Sequence, residues 1–113
     1  MKPCRAFFLI PLVVGCQTTL STAVGELERG RAPEAVARFR ALEPQLGRLT
    51  RSEQADYALY RGLTHLALGD AHEADRWLSA VKAESDGDPR LLSAAERGRL
   101  LAARRSMGRM PGQ

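Results

Sequence analysis

The sequence predicts an all-α fold: about five helices set as antiparallel hairpins in a short solenoid, closed by a C-terminal capping helix. Three observations lead there. Apolar residues recur at helical spacing from Ala55 to Val81, and less regularly before Leu42 and after Pro89. The surrounding residues are mostly Ala, Leu, Arg and Glu, all good helix formers. Runs of β-branched and aromatic residues, the signature of strands, occur only before residue 16.

At 113 residues the chain holds one small domain at most, and its first residues read as a targeting segment. Lys2 and Arg5 make a short positive region, followed by the apolar run Ala6 to Val14. That run is too short to span a bilayer well and is flanked like a secretory signal. Its ending, Val13-Val14-Gly15-Cys16, resembles the lipobox of bacterial lipoproteins. The resemblance implies removal of residues 1–15 and acylation of Cys16, which becomes the first residue. Several acyl chains anchor a protein stably at a membrane surface without a spanning helix. The alternatives are an ordinary signal peptide with an incidental Cys, or a buried apolar strand. Cysteine usage agrees with the anchor: once Cys4 is removed, Cys16 is the sole thiol, and an internal disulfide, a Cys nucleophile and a Cys-based metal site are all excluded. Gln17 in place of Asp points, in a Gram-negative envelope, to the periplasmic face of the outer membrane. Removing Lys2 and Arg5 from the 17 basic residues leaves 15 against 13 acidic ones, a net charge of +2.

The elements then follow in order. Residues 16–20 form a lipidated polar tether and residues 21–107 the helical domain. A first helix is expected from about Ser21 to Arg29, ended by Gly30, because a left-handed residue past a helix end costs Gly least. Pro33 suits the first turn of a second helix, where a missing amide donor does no harm. Pro44 to Arg51 is a linker, broken by Pro44 and Gly47. Ser52 is the expected N-cap of a third helix carrying the stripe Ala55, Leu59, Leu63, Leu66 and Ala67. Gly69 ends it, and Asp70 with Glu73 three residues on restarts the chain at capping-box spacing. The fourth helix carries Ala71, Ala74, Trp77, Leu78 and Val81. A loop is expected at Glu84 to Asp88. A closing helix from about Pro89 to Ser106 would use Leu91, Leu92, Ala95, Leu100 and Ala102 or Ala103. Met107 onward should fray, with residues 108–113 a flexible tail.

Setting Gly30 against Gly69 brings the two halves into step. Glu34-Ala35 matches Glu73-Ala74, Phe39 matches Leu78, Leu42 matches Val81 and Leu27 matches Leu66. Two hairpins separated by a linker insertion account for this, against the alternative of two unrelated helix pairs with similar turns. Gly62, Gly69-Asp70, Glu73-Ala74 and Leu78 fall at the spacings of the tetratricopeptide repeat, which this stretch resembles. The small residues let paired helices approach closely. The chain departs from the repeat at Ala58, His65 and Val81, and its closing Pro is displaced to Pro89. The resemblance implies a scaffold without chemistry. It also implies a concave partner-binding face, here Leu20, Val24 and Leu27 from one hairpin and Leu59, Leu63 and Leu66 from the next. That face would suit an apolar partner segment or be filled by the last helix.

Candidates for chemistry are few. His65 and His72 flank the second turn, but no third imidazole or Cys joins them and Asp70 and Glu73 read as caps, so no metal site is expected. Ser52, Ser79, Ser85 and Ser93 read as caps or loop residues, and no nucleophile motif or phosphate-binding loop occurs. No catalysis and no cofactor are expected. Phe39, Tyr57, Tyr60 and Trp77 read as core, with Trp77 alternatively an interface anchor. The cluster Arg97, Arg99, Arg104, Arg105 and Arg109 reads first as a solvated face, so nucleic acid is not an expected partner, and second as a weak anionic-surface binder. The expected function is an adaptor: a lipid-anchored interaction module for an unidentified envelope protein. The alternative from a different class is a self-associating structural lipoprotein.

Overall fold

The computed structural model describes residues 19–109. The readings at Cys16, at the lipobox residues Val13, Val14 and Gly15, and over residues 110–113 lie outside the described residues. The fold is all-α, and no strand occurs among the described residues: α1 Leu20–Glu28, α2 Ala32–Leu42, α3 Arg51–Ala67, α4 Ala71–Gly87 and α5 Ala94–Gly108. Two 3-10 segments, Glu43–Arg48 and Pro89–Leu91, join α2 to α3 and α4 to α5.

The turns explain why α1 packs on α2 and α3 on α4. Gly30 (φ +79°) and Gly69 (φ +80°) are the only described residues with positive φ. Each closes its helix with the same pair of bonds. Gly30 N–H donates to Leu27 O (3.0 Å) and Arg31 N–H to Glu26 O (2.8 Å); Gly69 N–H donates to Leu66 O (3.0 Å) and Asp70 N–H to His65 O (2.9 Å). Orphan carbonyls at both helix ends are thereby satisfied. Aligned residues also share an environment: Ala35 and Ala74, and Phe39 and Leu78, are all fully buried.

Capping sets the other boundaries, and here several expectations need correction. Thr19 caps α1 by accepting from Thr22 N–H, so helix begins at Leu20 and the tether cannot extend to residue 20. The N-cap of α3 is Thr50, not Ser52. Thr50 Oγ1 accepts from Glu53 N–H, and Glu53 Oε1 accepts from Thr50 N–H at 2.9 Å, a complete capping box. Ser52 instead donates to Leu91 O (3.2 Å), tying the start of α3 to the second 3-10 segment. Asp70 caps α4 by accepting from Glu73 N–H (3.2 Å), while the Glu73 carboxylate pairs with Arg76.

The expected loop at Glu84 to Asp88 is helical to Gly87. Ser85 is buried on the core side, and Lys82 bridges to Asp86 one turn on (2.8 Å), so the helix keeps both its packing and its side-chain support. Asp88, extended at φ −144° and ψ 93°, ends it, because a residue before Pro is excluded from the α region. The last helix starts at Ala94 and not at Pro89. Buried Leu91 and Leu92 plug into the core ahead of it, and Ser93 with Glu96 forms a second complete capping box. It ends at Gly108, with Leu100, Ala103 and Met107 on its buried stripe. Ala95 is exposed, Met107 is core and not frayed, and Gly108 belongs to the helix and not to a tail.

Tyr57 occupies the centre. Its ring meets Phe39 of α2 (centroids 5.4 Å, interplanar 88°) and Trp77 of α4 (5.5 Å, 67°), both edge-on as the ring quadrupoles favour. Its hydroxyl donates to Phe39 O at 2.6 Å. The two helix pairs are therefore joined through one aromatic residue. At Gly62, a Cβ would sit 2.6 Å from Leu78 Cγ and Cδ2 and 3.3 Å from Trp77 Cβ, so α3 and α4 touch where only hydrogen fits.

Candidate functional site

The residues singled out from the sequence divide sharply. Gly62, Ala74, Leu78, Ala35 and Phe39 are buried packing residues, and Gly30, Gly69 and Asp70 lie exposed at the turns. Of the expected partner-binding face, Leu59 is fully buried and offers nothing to a partner. Its position in α3 points at the helix interface because Tyr57 and Leu59 are both drawn into the core. Leu27, Leu63 and Leu66 are half-buried against that core. Leu20 and Val24 do face a cavity, one that the sequence did not announce.

This cavity has a volume of about 670 Å³ and lies where the chain enters the domain. Leu20 and Val24 of α1, Leu42 of α2, Leu49 of the linker and Tyr60 of α3 form its apolar wall. Its remaining wall carries three carboxylates, Glu53, Asp56 and Glu96. The two capping boxes explain why they are there. Glu53 Oε1 is held by Thr50 N–H and Glu96 Oε1 by Ser93 N–H, each at 2.9 Å, which fixes both side chains with one oxygen still available. Asp56 lies one turn after Glu53 on α3. None of the three makes an ion pair with a described residue, although the chain is rich in arginine. Arg99 on the last helix is engaged elsewhere: it pairs with Glu28 (3.6 Å), donates to Tyr60 OH (3.3 Å) and lies over the Tyr60 ring (5.6 Å).

Asp56 Oδ1 is buried without a hydrogen-bond partner. Desolvation, then hydrogen bonding and repulsion from Glu96, then repulsion from Glu53, push the Asp56 carboxyl up to about 7. Asp56 is thus about half protonated near neutrality, which relieves its buried oxygen of part of an unpaired charge. The stability consequence has a definite sign. A folded value above the unfolded 3.8 means that the folded state binds the extra proton, so stability falls as pH rises through about 7. Asp56→Asn should remove this dependence. After allowance for solvent screening of a half-buried group, the variant should gain on the order of 1 kcal/mol relative to wild type between pH 5.5 and 8.5. Urea unfolding of both proteins at the two values checks it, and the comparison cancels the slope from His65, which burial holds below its ordinary value.

A second polar cluster centres on a buried arginine. Arg61 is 5% exposed. It donates to Glu43 Oε1 (2.8 Å), to Tyr57 OH (2.9 Å) and to His65 Nε2 (3.4 Å), and lies 4.6 Å from the Trp77 ring centroid. Burial opposes its charge, but the bonds to Glu43 and Tyr57 outweigh that cost. The hydrogen bond from Arg61 in turn holds the Glu43 carboxyl below the usual range. Across the first pair, Glu26 (5% exposed) binds Arg38 at 3.1 Å and Arg31 at 3.4 Å. These clusters staple helices together and open onto no cavity. His65 packs into the first, and His72 is exposed. Trp77 is half-buried under Arg61 and Arg76. Among the described residues no group of three or more His, Cys, Asp or Glu side chains is placed to hold a metal ion, and no helix is long and apolar enough to cross a membrane.

The Arg-rich last helix uses most of its guanidinium groups internally. Arg97 donates to Pro89 O and Leu92 O, Arg104 to Ser79 Oγ, and Arg99 is engaged as above. Compared with protein-family models, curated proteins and solved structures, the chain matches none.

Sequence reasoning missed Asp56, Glu96 and Arg61. For Glu96, and for Glu53 one turn before Asp56, a signal was present: Thr50-Arg51-Ser52-Glu53 and Ser93-Ala94-Ala95-Glu96 are both capping-box strings. That the two boxes face each other across one cavity is a tertiary fact.

Proposed function

We propose that this chain is a lipid-anchored adaptor of the bacterial envelope, a helical-repeat module that holds a partner protein near a membrane. The observation that carries the reading is the cleft of about 670 Å³, lined by Thr19, Leu20 and Val24 at the point where the chain enters the domain. A pocket of that size lies within the range that buries a ligand or a partner segment. The lipobox resemblance places acylated Cys16 three residues before Thr19, so the cleft would open close to the membrane, on the periplasmic face of the outer membrane by the Gln17 rule. The tetratricopeptide resemblance supplies the module type: paired helices, matching glycine turns and close approach at Gly62.

Two experiments test it. A fatty-acid probe should label the protein in cells and fail to label Cys16→Ala; equal labelling of both removes the anchor. Crosslinking in native membranes should yield a protein partner, and Val24→Glu should abolish that crosslink while the helical circular dichroism is unchanged. A self-associating structural lipoprotein is the second reading, favoured by Leu101, a large apolar residue 50% exposed on α5. It predicts that the crosslinked species is the chain itself and that Leu101→Ser abolishes it.

A further inference from the structure

We propose that the cleft between α1, α3 and α5 takes a basic-apolar peptide segment, seating one lysine side chain between Asp56 and Glu96 with aliphatic neighbours against Leu20, Val24, Leu42 and Leu49. This deepens the adaptor reading and rests on it, since that reading supplies a protein occupant.

Charge is the first argument. The cleft gathers three carboxylates that no described arginine or lysine neutralises, in a chain with 17 basic residues. Buried Asp56 Oδ1 lacks a donor, and leaving a desolvated acceptor unpaired is costly. The site is therefore short of one positive charge, and an ammonium group meets that need as well as a proton does. Size is the second argument. A cavity of about 670 Å³ far exceeds a lone ammonium group, and its apolar wall asks for hydrocarbon beside the charge. A lysine stem with aliphatic flanks supplies both. A metal ion does not fit, because the carboxylates are not placed to converge on one.

The groups facing Asp56 set a pH dependence. They are Glu53 and Tyr60 on its own helix, Glu96 and Arg99 on α5, and Glu28 on α1 beyond Arg99; Leu42 and Gln45 on the α2 side are uncharged. A cation binds only the form in which Asp56 has lost its proton. With that proton leaving at about 7, affinity should rise about tenfold from pH 6 to pH 8.

The test uses the full chain in a non-ionic detergent and calorimetry with the blocked peptide acetyl-leucyl-lysyl-leucyl-valine amide. Counterparts carry norleucine or glutamate in place of lysine, and n-hexylamine serves as the small-amine probe. The lysine peptide should bind, norleucine should bind at least about tenfold more weakly, and glutamate should not bind. Asp56→Asn should lose about tenfold in lysine affinity together with its rise with pH, whereas Glu96→Gln should lose about tenfold in affinity and keep part of the rise, because desolvation still raises the Asp56 carboxyl. Glu96→Gln is expected to fold, because the glutamine oxygen still accepts from Ser93 N–H. Absence of lysine-peptide binding overturns the inference, as do equal affinities for lysine and norleucine or unchanged binding in both variants. Hexylamine binding as tightly as the peptide also overturns it, since the cleft is then a small-amine site. If a partner crosslinks in membranes but the lysine peptide does not bind, this inference fails and the adaptor stands. If the peptide binds but no partner crosslinks, the adaptor fails.

Discussion

Gly62→Val is expected to destabilise the domain by about 3 kcal/mol or more, close to abolishing folding in a chain this small. The first added carbon would lie 2.6 Å from Leu78 Cγ and Cδ2, and Leu78 is fully buried, with no room to retreat. On the other side Trp77 Cβ stands at 3.3 Å. Gly62→Ala is the graded comparison. Alanine gains about 1 kcal/mol of helix propensity over glycine, against an overpacking cost of roughly 1–3 kcal/mol, so a net loss of about 1 kcal/mol is expected. At about 4–8 °C per kcal/mol, thermal melts separate the three proteins. A Gly62→Ala protein as stable as wild type would show that α3 and α4 can separate freely at this point.

Arg61→Ala carries the second large effect, about 3 kcal/mol of destabilisation. The loss combines a void in the core with the cation–π contact on Trp77 at 4.6 Å and the bond to Tyr57 OH. Glu43 is half-exposed and returns to water when its partner goes, which limits the loss. Arg61→Met decides what matters, because methionine refills the space without charge. If packing dominates, Met recovers most of the loss; if the bonds to Glu43 and Tyr57 dominate, Met is nearly as damaging as Ala. Denaturation midpoints of both variants give the answer. The same arithmetic does not apply to Glu26. There the carboxylate is the buried member and its arginines are more than a third exposed, so removing it strands no buried charge.

The comparison of expectation with structure follows a physical line. Helix content, the two glycine turns and the pairing of Ala35 with Ala74 and Phe39 with Leu78 were legible because each depends on local periodicity or on a residue's own backbone freedom. The boundaries at Thr50, Gly87 and Ala94 were not, because competing caps and stops lie within a few residues of each other. Ser52 and Thr50 both suit an N-cap, and the packing of Leu91 against the start of α3 assigns Ser52 to another bond. Asp88-Pro89 does start a short 3-10 turn, but Leu91 at its end and extended Leu92 are needed in the core, which leaves Ser93 as the cap of the last α-helix.

The candidate site follows the same rule. Leu20 and Val24 were named from the sequence only as part of the face that the tetratricopeptide resemblance implies, and they do line the cleft. Leu59, on an identical pattern, is core, because a stripe read from one helix does not say which of its residues a second helix covers. Arg61, between Tyr60 and Gly62, carries no signal of its burial in the sequence. Only the junction of α2, α3 and α4 encloses it among Tyr57, Trp77 and His65.

What the sequence determined by itself is helix, turn and close approach: residue spacing, Gly30, Gly69 and Gly62 act within one or two turns of chain. What the tertiary structure decided is where charge meets charge. Glu53 and Glu96 are caps in their own helices, 43 positions apart, and the fold brings them to one cleft with Asp56. Electrostatic energy depends on distance in space and on lost solvent, and neither is written in the order of the residues.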